Sequence, residues 1–180
     1  MIRVRVLALA FLVLVPALAT TLIRASLDDL IGKSTSIVRG RVINSSTASH
    51  GPLVYTHYKI QVTERWKGLT GDQVDVQVPG GSYNGVQQNI AGAPRLSTGA
   101  EYVFFLWTGP SGANHLLGLS QGVLDIAKDP DGNLIVVREA SDALTLDSVT
   151  GRIASPDPVR MKLSDLSSRV ASTVKGVDPK

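Results

Sequence analysis

The chain has 180 residues, no cysteine and a formal net charge of +3. Without thiols it has no disulfides, no thiol chemistry and no cysteine-ligated metal. Lys and Arg are scattered, with no basic block of the kind that marks a nucleic-acid partner.

Residues 1–19 read as a secretory signal peptide. Arg3 and Arg5 give the positive start, Val6 to Val15 the apolar core, and Ala17-Leu18-Ala19 the A-x-A site. The apolar run is about half of the roughly 20 residues that a spanning helix needs. Cleavage after Ala19 is therefore predicted, with Thr20 as the new terminus and no stable membrane span left. Losing Arg3 and Arg5 takes the net charge from +3 to +1. The expected location is secreted or periplasmic, and nucleic acid is not an expected partner.

Residues 20–35 form a helical segment. Ser26 can cap a short helix whose first turn holds Asp28 and Asp29, and Leu27, Leu30 and Ile31 make its apolar stripe. From Ser36 the pattern turns to β and stays so to about residue 140. Ser36 to Asn44 is a strand with Gly40 inside it, which signals a bulge, a bend or a close backbone approach. Asn44 to Pro52 reads as a polar turn region. Val54 to Trp66 alternates with period two: Val54, Thr56, Tyr58, Ile60, Val62 and Trp66 share one face, interrupted by Glu64. Tyr55, His57, Lys59, Gln61, Thr63 and Arg65 share the other.

Gln73 to Val78 repeats the alternation, and Pro79-Gly80-Gly81 ends it. A weak strand near Val86 to Ile90 follows. Glu101 to Trp107 is apolar almost throughout, as in a central strand buried on both faces. His115 to Leu119, Gly122 to Ala127 and Leu134 to Arg138 are further strands, the last two joined by a turn at Asp129 to Asn133. Residues 141–180 read as a linker and an amphipathic helix. Leu163, Leu166, Val170 and Val174 recur at helical spacing, with Ser164 as the cap. Short, regularly spaced strands with few helices predict a mostly β fold, a small OB-like closed or partly open barrel over residues 36–140.

The strand Ser36 to Val42, the strand ending Glu64-Arg65-Trp66-Lys67-Gly68, and the run Leu96 to Leu106 occur in a telling order. Together they resemble the netrin-like modules, which include the amino-terminal domain of tissue inhibitors of metalloproteinases. They also resemble a group of uncharacterised exported bacterial proteins. The similarity covers roughly Ile37 to Ile126 and implies a five-stranded OB-fold barrel. Those inhibitors chelate the protease zinc with an amino-terminal cysteine. This chain has no cysteine, so the resemblance implies the fold and leaves the inhibitory mechanism without its key group.

Several motifs touch on chemistry. Gly118-Leu119-Ser120-Gln121-Gly122 fits G-x-S-x-G, but a β-rich segment follows it and no histidine lies downstream, so the match reads as a turn. His50, His57 and His115 lack metal-ligand spacing, and His57 reads as a solvated residue on a polar face. Asp129, Asp131 and Asn133 surround Gly132 without the ligands of a calcium loop, which reads as a hairpin turn. Pro79-Gly80-Gly81 and Gly85 lack the lysine and helix of a phosphate cradle; they read as a flexible connection able to form a binding edge. Of the aromatics Trp66, Trp107, Tyr55 and Tyr83, both tryptophans are expected in the core, whereas an exposed pair would make a sugar or peptide platform.

No catalytic, cofactor-binding or metal-ligating residue is assigned. The expected function is an exported, non-enzymatic binding module for an extracellular or cell-envelope protein partner. The alternatives are an inhibitor or accessory protein of an extracellular protease, and a secreted serine hydrolase using Ser120.

Overall fold

A computed structural model describes residues 22–138, 145–146, 153–154 and 158–176. The expected signal peptide, residues 1–19 with cleavage after Ala19, lies outside the described residues.

The described chain is mostly β with two helices. It opens with β1 (Leu22–Ile23) and α1 (Leu27–Lys33). Two long strands follow, β2 (Ser36–His50) and β3 (Leu53–Lys67), then β4 (Gln73–Pro79) and the short pair β5 (Gly81–Tyr83) and β6 (Val86–Gln88). Next come β7 (Glu101–Thr108), β8 (Asn114–Leu116), a 3-10 turn at Leu119–Gly122, β9 (Val123–Lys128) and β10 (Leu134–Arg138). The short strands β11 (Thr145–Leu146) and β12 (Ile153–Ala154) pair with each other, and β11 also pairs with β1. The chain then enters β13 (Val159–Lys162) and α2 (Leu163–Gly176).

Five strands close a ring in the order β7-β2-β3-β4-β8, with β8 returning to β7. The pairings are antiparallel except for β4 with β8, where Val76 faces Asn114 and Gln77 faces His115 in parallel. From β7 the sheet continues outward through β9 and β10 to β13.

Two cores result. Val38, Tyr58, Ile60, Val76, Phe104 and Leu106 point into the ring. Ile37, Val103, Phe105 and Leu124 point the other way, onto Leu30 and Ile31 of α1 and Leu166 and Val170 of α2. β7 stands where ring and extension meet, so Phe104 and Phe105 are both fully buried, on opposite faces. That is the doubly buried strand its apolar sequence predicts.

Ser26 caps α1 as expected: its hydroxyl accepts from the Asp29 amide at 3.1 Å, and the Asp29 carboxylate reaches back to the Ser26 amide at 3.2 Å. At the other end Lys67 Nζ donates to the carbonyls of Ile31 and Gly32, at 2.6 and 2.9 Å. Partial burial lowers the pKa of that ammonium from its ordinary value. α2 starts at Leu163, so Ser164 sits inside the first turn instead of capping it.

The long hairpin departs from the expected pattern in two ways. The polar stretch from Asn44 is not a turn region: β2 runs on to His50 and turns only at Gly51-Pro52, because Ser45 to His50 pair with Leu53 to Tyr58. The register also slips around Ile43, Thr63 and Trp66, each an extra residue opposite its partner strand. The slip at Thr63 shifts the alternation by one, so Glu64 faces outward against Arg39. Trp66 therefore leaves the face it was expected to share with Val62 and packs half-buried against the second core.

Candidate functional site

A cleft of about 460 Å³ opens where β2, β3 and β4 reach one mouth of the ring. Tyr58 and Val78, both core residues of the ring, form its floor together with Ile90 and Ala93. The β5–β6 hairpin makes one wall and residues 89–95 the other.

The hairpin follows from its sequence. Ser82 pairs with Gln87 and Tyr83 with Val86, leaving Asn84-Gly85 as a two-residue turn. Both turn residues have positive φ, 47° and 77°, as a type I′ turn requires. The expected flexible glycine connection is thus an ordered ribbon. The main sheet fixes it by four side-chain hydrogen bonds. Gln88 Oε1 accepts from the Val54 amide and Gln88 Nε2 donates to the Pro52 carbonyl, both at 2.7 Å. Thr47 Oγ1 donates to the Ser82 carbonyl at 2.7 Å, and Thr56 Oγ1 to the Gly80 carbonyl at 2.8 Å. Gly81 is obligatory at the entry: its φ is +133°, and a Cβ there would lie 2.6 Å from Thr56 Oγ1.

The opposite wall is anchored as well. The Ala93 amide donates to the Ile90 carbonyl at 3.1 Å, and the Gly92 carbonyl accepts from the Ser120 amide at 2.9 Å. The Tyr58 hydroxyl accepts from the Leu96 amide at 3.3 Å. At the rim, Arg95 Nη2 donates to Asn89 Oδ1 at 3.0 Å. Among the described residues, Arg95 is the single charged side chain that lines the cleft.

The other sequence candidates lie elsewhere. Ser120 is in the 3-10 turn before β9, and its neighbour Gln121 is buried. Two of the scattered histidines come together: the His50 and His57 rings are 6.2 Å apart, beside Tyr55. His57 Nδ1 lies 3.1 Å from Asp75 Oδ1, and only 20% of the His57 side chain is exposed. His57 is therefore not the solvated residue its polar face implied; its neighbours cover it. Among the described residues, no group of three or more His, Asp or Glu side chains is placed to hold a metal ion.

His115 lies against Trp107, ring centroids 6.0 Å apart. Trp107 is 43% exposed, contrary to the expected core position, at the end of β7. Asp129 and Asn133 close the β9–β10 hairpin, the Asn133 amide donating to Asp129 Oδ1 at 2.8 Å. Hydrogen bonds from Asn133 hold the Asp129 carboxyl below its ordinary pKa.

Apart from its glycine edge, the cleft has no signal in the sequence. Gln87, Gln88, Asn89 and Arg95 are ordinary loop residues until the hairpin and the 89–95 segment face each other across the ring mouth. No family model matches the chain, and no curated protein matches it.

Proposed function

We propose that this protein is an exported, non-enzymatic binding module that engages a protein or cell-envelope partner through the cleft at the ring mouth. The cleft is the observation that carries the reading. It is concave, and it sets apolar side chains such as Tyr58, Val78 and Ile90 beside polar ones such as Thr56, Gln88, Asn89 and Arg95, which can fix a ligand's orientation. Its volume of about 460 Å³ suits a side chain or a chain end of a partner. Both walls are tied by hydrogen bonds, so little ordering has to accompany binding.

The scaffold is an OB-like barrel in this reading. A five-strand ring supports it, as does the resemblance of the sequence from Ile37 to Ile126 to the netrin-like modules. Such barrels bind through loops and one sheet face. The export arm rests on Arg3, Arg5, the Val6 to Val15 run and Ala17-Leu18-Ala19.

The test is capture from envelope and culture fractions of the native host, with the exported chain as bait. Ser82 is exposed on the hairpin wall, and Ser82→Trp would place a bulky side chain at the cleft while leaving every core residue unchanged. Partners held by the unmodified chain should be lost with Ser82→Trp. Identical capture by both chains would overturn the reading. A protease among the lost partners would identify the module as an inhibitor or accessory protein.

A further inference from the structure

Among the described residues, Arg95, the one charge in the cleft, is exposed and is not paired with a carboxylate. Arg39 faces Glu64 and Glu101, Arg65 faces Asp72, and Arg169 faces Asp28. Each of those cations is matched by a carboxylate of the chain. Arg95 instead donates to the neutral amide oxygen of Asn89. That contact orients the guanidinium and leaves its charge in place. Among the described residues, neither Asp nor Glu lines the cleft. A guanidinium presents its N–H donors in a planar fork that matches a carboxylate.

Below this rim the lining is apolar: Tyr58 and Val78 belong to the ring core, and Pro79, Ile90 and Ala93 lie beside them. The cleft thus joins one oriented cation to a small greasy floor. A ligand that matches both parts carries one negative group next to a compact apolar group. A cationic ligand would meet Arg95 with no acid to offset it, and a polyanion would find only one cation.

Resting on the cleft as the binding site, we propose that its ligand is a carboxylate attached to a compact apolar group. The carboxylate pairs with Arg95 and the apolar group lies on Tyr58 and Val78. The carboxy-terminal residue of a peptide and a short fatty acid both have this chemistry.

The experiment is an NMR titration of the ¹⁵N-labelled exported chain with three probes. They are N-acetyl-Ala-Ala-Leu with a free carboxylate, the same peptide as its carboxy-terminal amide, and octanoate. The free acid should shift the amide signals of Gly80, Gly81, Asn89 and Arg95, and the amide should bind about tenfold or more weakly, as expected for loss of a charged hydrogen bond. Arg95→Gln keeps a polar side chain without the charge and should erase the preference for acid over amide. Asn89→Asp places a competing carboxylate on Arg95 and should do the same.

Octanoate acting like the peptide acid would support recognition of any apolar carboxylate. A response to the peptide acid alone would support a peptide terminus, and to octanoate alone a fatty acid. Equal binding of acid and amide, or a preference that survives Arg95→Gln, would overturn the carboxylate and leave the cleft as a binding site. No cleft shift with any probe would also overturn it. The broader reading would then be decided by the Ser82→Trp capture.

Discussion

Gln121 and Ala25 are joined by a hydrogen bond across 96 residues of sequence, the Ala25 amide donating to Gln121 Oε1 at 2.8 Å. The same side chain donates from Nε2 to the Ile23 carbonyl at 2.9 Å. Gln121 therefore acts on the segment before α1 as a strand neighbour would, taking one donor and one acceptor. At 1% exposure, no solvent competes at this site.

Gln121→Leu removes both bonds and leaves polar backbone groups short of partners. The expected loss is about 1–3 kcal/mol in urea-induced unfolding. Amide exchange at Ala25 should accelerate more than exchange in β7. A variant as stable as the parent would show that the segment is held by other contacts.

Two glycines should answer oppositely to alanine. At Gly40 a Cβ would lie 2.6 Å from Ile60 Cγ2 and 2.7 Å from the Gln61 carbonyl oxygen. The methyl group can shift, but the carbonyl belongs to the paired strand and cannot. Gly40→Ala should destabilise by about 1–3 kcal/mol, the usual range for overpacking. Gly32 lies in α1, and a Cβ added there would meet nothing within 4 Å. Gly32→Ala should be neutral or stabilise by up to about 1 kcal/mol through helix propensity. Thermal unfolding of the two variants side by side gives the answer, and equal effects would refute the argument.

These glycines also show how far the sequence can be read. Gly40 is legible as a constraint because a glycine inside an apolar strand has few other uses. The alternation from Val54 to Val62 is legible because each residue reports its own face. Thr63 and Trp66 are not. A bulge residue has no compositional mark, and one bulge reverses the face of every residue after it. Trp107 is opaque for a related reason: the apolar run ends there, and its composition does not tell whether a neighbour covers it. The capped start of α1 can be read because Ser26 and Asp29 act over three residues. The cleft cannot, since its walls come from Thr47 to Arg95 and meet only through long-range pairing.

The β5–β6 hairpin gives a prediction about the cleft itself. Gln88 clasps it to the β2–β3 tip through Val54 and Pro52. Gln88→Ala should cost about 1 kcal/mol or less in global stability, since the site is half-exposed and water can replace the lost bonds. Locally the effect should be larger. Amide exchange at Ser82 and Gln87 should rise well above that of β3, and ligand affinity at the cleft should fall. Unchanged exchange in the hairpin would mean that Thr47 and Thr56 suffice to hold it.

Acid titration provides a test at the amino-terminal helix. The Asp29 carboxyl is lowered from 3.8 to about 2, first by Lys33, whose Nζ lies 2.7 Å from Oδ1, and then by the Ser26 hydroxyl and amide. A carboxyl whose pKa is lower in the folded chain stabilises the fold while it is ionised. That contribution is complete above 3.8 and is lost as the pH falls toward about 2. The carboxylate is 40% exposed, so solvent screens the pair and the effect is small. Asp29→Asn should therefore be slightly less stable than the parent at neutral pH, and the gap should close on acidification through this window. Lys33→Met should move the Asp29 titration, followed by NMR of its carboxyl carbon, back toward 3.8. A midpoint unchanged by Lys33→Met would assign the shift to the Ser26 cap alone. Ser26→Ala, expected to cost about 1 kcal/mol as a lost cap, would then move it instead.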